Sequence, residues 1–246
     1  MNAPIDLGRC LSFINCQLMP NARAVLSRDS QTHWRAVTIS RQAGTGGHLV
    51  ADGLARHLQA RAPEGSASWV VFDRNLLEKV LEDHHLPAHL ARFMPEDRVP
   101  AIQDILDELC GLHPPTWTLV EKTADTILRL AELGNVILLG RGGNIITSKL
   151  GHVFHVRLIG SLEARTEFVQ ADRKLDKKAA LELIAQEDEG RRRYLRRYFH
   201  RDIDDPRYYH LVINTPLVGH GPAARIIADA LLSTADFAHI LPPSHR

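Results

Sequence analysis

Five short apolar runs, rich in β-branched residues, recur along the chain: Ala36–Ser40 (AVTIS), Trp69–Phe72, Asn135–Leu139 (NVILL), Val153–Ile159 (VFHVRLI) and Leu211–Asn214 (LVIN). Each is bounded by polar or glycine-rich residues, the pattern of a short buried strand. Between them the apolar positions change to helical spacing. Val50, Leu54 and Leu58 share one face of a helix that starts near Leu49, and Thr118–Leu133 reads as a second helix stopped by Gly134. A third starts after Ser161, a natural N-cap; a long charged one follows Asp176 to about Phe199; the last covers Ala223–Leu232. Strands alternating with helices predict βαβ units, hence an α/β fold with a parallel five-stranded sheet and helices on both faces.

Two stretches stand outside this alternation. Leu11, Ile14 and Leu18 fit a short amphipathic helix, followed by a polar linker, so residues 1–35 read as an N-terminal appendage. Asn75–Glu82 looks helical, and the proline-broken segment that follows, with AIQDILDELCGL inside it, reads as a helical insertion over about 74–117. The main domain then spans 36–235, with a tail at 236–246.

Composition narrows the function. An apolar fraction of 44% and a charged fraction of 24% are those of a globular protein, and a net charge of +1 argues against a surface built wholly for polyanions. Three cysteines without paired spacing predict neither a disulfide framework nor a metal knuckle, and no long apolar run predicts a membrane span. The expectation is a cytoplasmic protein with no membrane partner. The run Arg191–Arg201 holds six arginines among aromatics, yet Glu187, Asp188 and Glu189 precede it by one helical turn. That spacing predicts a salt-bridged helix rather than a nucleic-acid face. His84, His85 and His89 are separated by Pro87 and make a poor metal set; no metal site is expected.

The strongest chemical signal lies where the first strand meets the first helix. Gly44, Thr45, Gly46, Gly47 and His48 follow Arg41 in RQAGTGGH, and glycines between a strand and a helix N-terminus let backbone amides approach a phosphate. The phosphate-loop consensus G-x-x-x-x-G-K-[ST] is only partly met. With Gly46 in the second glycine position, Gly47 replaces the lysine, His48 replaces the hydroxyl residue and Arg41 stands at the first glycine. A guanidinium such as Arg41 can serve a phosphate where lysine is absent. Asp73, Arg141 and Asn214 also follow strand ends, where ligands of such sheets bind.

TISRQAGTGGHLVADGLARHL, VFDRNLLEKV, VILLGRGGNII, HVRLIGSLEAR and EDEGRRRYLRRYFHRDIDDPRYYHLVINT, in this order, resemble the cytidylate kinase-like family over about Val37 to Thr215. The resemblance implies a P-loop kinase fold with an arginine-rich lid at about 170–205, and ATP-dependent, Mg²⁺-assisted phosphorylation of CMP or a related nucleoside monophosphate. It implies that Gly44, Thr45, Gly46, Gly47 and His48 cradle the donor phosphates and that Asp73 and Arg74 begin the monophosphate region. It further implies that Arg141 grips the acceptor phosphate and that Asp188 and Arg191 are the lid pair, with Arg41 adding charge. Where cytidylate kinases carry an aspartate before G-R this chain has Leu139, and Gly142 replaces a second acid. Those departures define the alternative expectation, a nucleotide-binding sensor without turnover.

Overall fold

In a computed structural model of the chain, residues 35–63, 66–73 and 116–234 are described. The N-terminal helix, the tail, Arg74 and nearly all of the helical insertion lie outside them. Five strands form one parallel sheet in the order β2-β3-β1-β4-β5: β1 Ala36–Arg41, β2 Val70–Phe72, β3 Val136–Leu139, β4 Val153–Ile159 and β5 Leu211–Asn214. The central strand pairs Ala36 with Val136 on one side and with Val153 on the other.

The helices described are α1 Gly47–Gln59, α2 Thr116–Leu133, α3 Gly143–Ile146, α4 Leu162–Arg173, α5 Lys177–Phe199, α6 Thr215–Val218 and α7 His220–Thr234. None is long and apolar enough to cross a membrane. Side-chain caps set two starts as the sequence predicts. Ser161 Oγ accepts from Ala164 N at 3.3 Å, and Asp176 Oδ1 accepts from Ala179 N at 2.8 Å. Gly134, at φ +83°, ends α2 by donating its N–H to the Leu130 carbonyl.

Alternate residues of each strand face opposite layers. Val37, Ile39, Ile137, Leu139, Val156 and Leu158 pack with α1 and α7, whereas Ala36, Val136, Leu138 and Phe72 pack with α2. On that second face the β1–β4 junction is polar. Thr38 lies opposite His155 and Ser40 opposite Arg157. Thr38 Oγ1 is 2.8 Å from His155 Nδ1, and Arg157 Nη1 donates to Ser40 Oγ at 2.8 Å. Every one of these side chains is buried, so each pair satisfies groups that would otherwise be costly there. The His155 backbone N–H donates to His210 Nδ1 at 2.9 Å, and the two rings stack at 5.0 Å.

Burial, and secondarily the neighbouring His210, pushes His155 down to about 3, and burial also lowers His210. An unfolded histidine takes its proton near 6.5, so between that pH and about 3 the unfolded chain binds a proton that the folded chain refuses. Stability is therefore full above pH 6.5 and falls as pH drops through this window, by about 1.4 kcal/mol per unit for one group. Urea unfolding should show about 2 kcal/mol lost between pH 6.5 and pH 5. His155→Gln should flatten that dependence; an unchanged slope would show that His155 does not cause it.

Candidate functional site

Residues 42–46 carry the chain from β1 into α1, with Gly44 at φ +78° and Gly46 at φ +67°. Gly46 caps α1 with no side-chain hydrogen bond. The first turn of α1 thus offers backbone N–H groups and the positive end of the helix dipole to an anion. The turn is held from outside. Asp188 Oδ1 accepts the Ala43 N–H at 2.7 Å, Arg165 Nη1 donates to the Ala43 carbonyl at 3.1 Å, and Thr215 Oγ1 donates to the Thr45 carbonyl at 2.9 Å. Ala43 also enters an apolar cluster with Val169 of α4 and Ala180 and Ile184 of α5. His220, at the start of α7, presses its ring against Gly46 where a Cβ would stand, and its edge meets Phe168 at 5.1 Å. Burial lowers the His220 pKa, opposed by its bond to the Thr45 backbone.

The consensus lysine position is tightly bounded. A Cβ on Gly47 would lie 3.3 Å from Arg41 Cγ and 3.5 Å from Leu139 Cδ1, so the stem of Arg41 runs over one side and a core leucine sits on another. The Arg41 guanidinium reaches Asp73, Nη2 to Oδ1 at 3.5 Å, and His48 Nε2 is 3.2 Å from Asp73 Oδ2. One carboxylate therefore holds both Arg41, from the start of the loop, and His48, at the usual hydroxyl position.

Next to this cluster is a small cleft, partly open to solvent, at the carboxyl ends of β1 and β3 and under α5. Arg41, Arg141 and Arg191 line it, with Thr38, Ser40 and Asn144 as buried polar residues and Ile39, Leu195 and Ile203 among its apolar ones. Arg141 has φ +58° between Gly140 at +87° and Gly142 at +68°. A left-handed arginine costs about 1–2 kcal/mol, and such strain gathers at functional positions. Arg191 is buried and oriented by two acids, donating to Asp188 Oδ1 at 3.1 Å and to Glu187 Oε2 at 2.6 Å. Asp188 Oδ2 accepts from Arg165 at 2.7 Å, so a single carboxylate joins the glycine turn to a cleft arginine.

Every sequence-predicted site residue among the described ones thus falls in one connected region. The stretch expected as a lid consists of the end of α4, a short turn and α5. Its acids pair with arginines one turn on: Glu187 with Arg191 at the i,i+4 spacing, and Asp188 with Arg191 and Glu189 with Arg192 at i,i+3. Asn214 ends β5, and Thr215, the next residue, braces the glycine turn.

Three residues were missed. Arg165 holds the turn, Arg157 supports Ser40, and Asp204 accepts from Arg157 at 2.6 Å and from Arg192 at 3.2 Å. Burial would raise the pKa of Asp204, but those two guanidiniums hold it below the usual carboxylate range. The Asp204–Asp205 pair reads as a turn in the sequence, and Asp205 does cap the short 3₁₀ turn at Pro206–Tyr208. Arg157 had a usable signal, because an arginine in a central strand must find a partner or be strongly destabilising.

A nucleotide's phosphates fit the turn and its cations. A hard Mg²⁺ ion wants oxygen ligands. Here the hydroxyl position is His48, the strand-end acid position is the buried Leu139, and Asp73 is already engaged by Arg41 and His48. Among the described residues no three His, Cys, Asp or Glu side chains gather to hold a metal. The side chains on the page therefore do not fit Mg²⁺.

Asp188→Ala would strand Arg165 and Arg191 without their shared carboxylate and release the Ala43 N–H. The expected loss is about 3–5 kcal/mol in urea unfolding. A loss under about 1 kcal/mol, the scale of an exposed ion pair, would show that the clamp is not structural.

A comparison with protein families matches this chain to the cytidylate kinase-like family over residues 36–216. No curated protein matches it. Among solved structures it is similar to an uncharacterised protein from Eubacterium ventriosum ATCC 27560, at 23% identity and a TM-score of 0.59, covering 81% of this chain and 99% of that one. Shikimate kinase from Bacteroides thetaiotaomicron aligns at 14% identity and a TM-score of 0.44, over 80% of this chain and 98% of that one. Shikimate kinase from Acinetobacter baumannii in complex with shikimate aligns at 16% and 0.45, over 83% and 96%. The first is a likeness of fold, and the two lower scores add nothing to it. With most of its length matched and the glycine turn at the carboxyl end of a central parallel strand, the chain belongs to the cytidylate kinase-like family and has its kinase-like, nucleotide-binding P-loop fold.

Proposed function

We propose that this protein transfers the γ-phosphoryl group of ATP to a nucleoside monophosphate of the CMP class. The observation that carries the reading is the meeting of Arg41, Arg141 and Arg191, from three separate elements, in one cleft beside the glycine turn. A phosphate monoester dianion is already a competent oxygen nucleophile, so its attack needs positioning and charge stabilisation rather than a base. An acceptor phosphate oxygen bonds to the γ-phosphorus, the bond from that phosphorus to the β–γ bridging oxygen breaks, and ADP leaves with the electron pair. Arg141 and Arg191 hold the acceptor phosphate and Arg41 the donor side. Asp188 and Asp73 orient their respective arginines. The α1 N-terminus and the amides of Gly44 to His48 receive the donor phosphates.

A second reading has its own observation. Leu139 is 1% exposed in the apolar core, directly beneath Gly47, where cytidylate kinases have an acid. That arrangement favours a nucleotide-binding module that retains the fold without turnover.

The two separate in a coupled assay of the full chain with ATP, with and without Mg²⁺, against CMP, UMP, AMP, GMP and dCMP. CDP formation that falls at least about 100-fold in Arg141→Ala, the scale of losing charge-assisted hydrogen bonds in the transition state, supports the kinase. ATP binding with no product from any acceptor rejects it and leaves the binding module.

A further inference from the structure

We propose that the Arg41–Asp73–His48 cluster holds the nucleotide's polyphosphate without a bridging divalent cation, so that free ATP, not its metal complex, is the form this chain prefers. The inference rests on the reading that the glycine turn takes a nucleotide, and goes beyond it in naming the ionic form bound.

In a phosphate loop of the consensus type, a lysine and a metal held by the next hydroxyl together offset the charge of the β- and γ-phosphates. Both positions depart from that pattern here. The space a lysine stem would need at position 47 is bounded by Arg41 and Leu139. Arg41 comes from the opposite end of the loop, and its guanidinium lies mostly buried, 12% exposed, with Asp73 beside it. A guanidinium is a planar donor fork that binds phosphate oxygens in pairs, a geometry an ammonium lacks.

His48 is the second residue of α1, where the helix N-terminus favours anions over cations. Its ring is 43% exposed and is anchored through Nε2 to Asp73 Oδ2, so Asp73 fixes the ring's orientation. An imidazole prefers borderline metals to Mg²⁺, and no further acid or histidine completes a metal set among the described residues. Asp73, the nearest carboxylate, is 13% exposed on its side chain and sits between two nitrogen donors. A magnesium ion there would have to displace Arg41 or His48 from it. Donors that face oxygen are what a bare polyphosphate requires. Arg41, fixed by Asp73, supplies them where a lysine usually stands, and His48, its Nε2 on the same carboxylate, offers no oxygen ligand in place of the usual hydroxyl.

The experiment measures ATP binding to the full chain by isothermal titration in EDTA, in Mg²⁺ and in Mn²⁺, with thermal melts to establish that each variant is folded. Affinity in EDTA equal to or tighter than in Mg²⁺ is the expected result. Arg41→Ala should weaken binding in EDTA about tenfold or more, the scale of a charge-assisted hydrogen bond. His48→Ser, which restores a hydroxyl, should make Mg²⁺ tighten ATP where in the parent it does not. Binding that needs Mg²⁺ or Mn²⁺, or that tightens about tenfold with either ion, overturns the inference and leaves the nucleotide-binding reading intact. Absence of ATP binding under every condition overturns both.

Discussion

A glycine-rich turn can bring its amides close to a phosphate because it lacks side chains, and for the same reason it cannot hold itself in shape. Everything at this site depends on how the turn at 42–46 is fixed by its surroundings. Asp188 and Arg165 take the two backbone polar groups of Ala43, Thr215 takes the carbonyl of Thr45, and His220 fills the space beside Gly46. These contacts come from α4, α5, α6 and α7, four elements distant in sequence from the turn. Ordering is thus completed by folding, before any ligand arrives, and that spares a ligand the entropy of ordering the loop.

The cost of this arrangement is buried charge. Arg157, Arg165 and Arg191 are each 9% exposed or less, in a protein where a lone buried guanidinium would be prohibitive. Each has a carboxylate: Asp204 for Arg157, and Asp188 for Arg165 and Arg191. Such pairs are weak sources of net stability, since desolvation offsets much of their attraction, but they are strict about geometry. Asp188 illustrates why that strictness is useful. One oxygen serves both the turn and the cleft arginine Arg191, so a shift at the turn would move the cation that faces the cleft.

The sheet was legible because its inner strands are buried on both faces and so read as continuous apolar runs, and strand limits moved by only a residue or so. Ser161 and Asp176 were legible because a cap acts within a single turn of its own residue. Arg165, Arg157 and Asp204 were not, since their partners lie far along the chain; the bond from Arg165 to Ala43 spans 122 positions. No local period encodes such a pairing. The candidate site divides along the same line: the glycine turn and the Glu187–Asp188–Arg191 spacing are local patterns, whereas the sharing of Asp73 by Arg41 and His48 requires β1, β2 and α1 to be assembled.

The departures from the phosphate-loop consensus are also easier to understand together than singly. Gly47 leaves room for the Arg41 stem on one side and for Leu139 on another. A side chain at 47 would press tightly on that stem, and an aspartate at 139 would place a carboxylate in an apolar core position that is 1% exposed. Neither substitution alone would give the usual charge pattern, because the lysine position lies against Arg41 and the acid position lies in the apolar core. The chain therefore reads as one packed solution in which the arginine enters from the strand, rather than as a loop from which parts have been lost. On the proposed reading, an anion in the turn would meet the Arg41 guanidinium beside Asp73, above an apolar floor that includes Leu139.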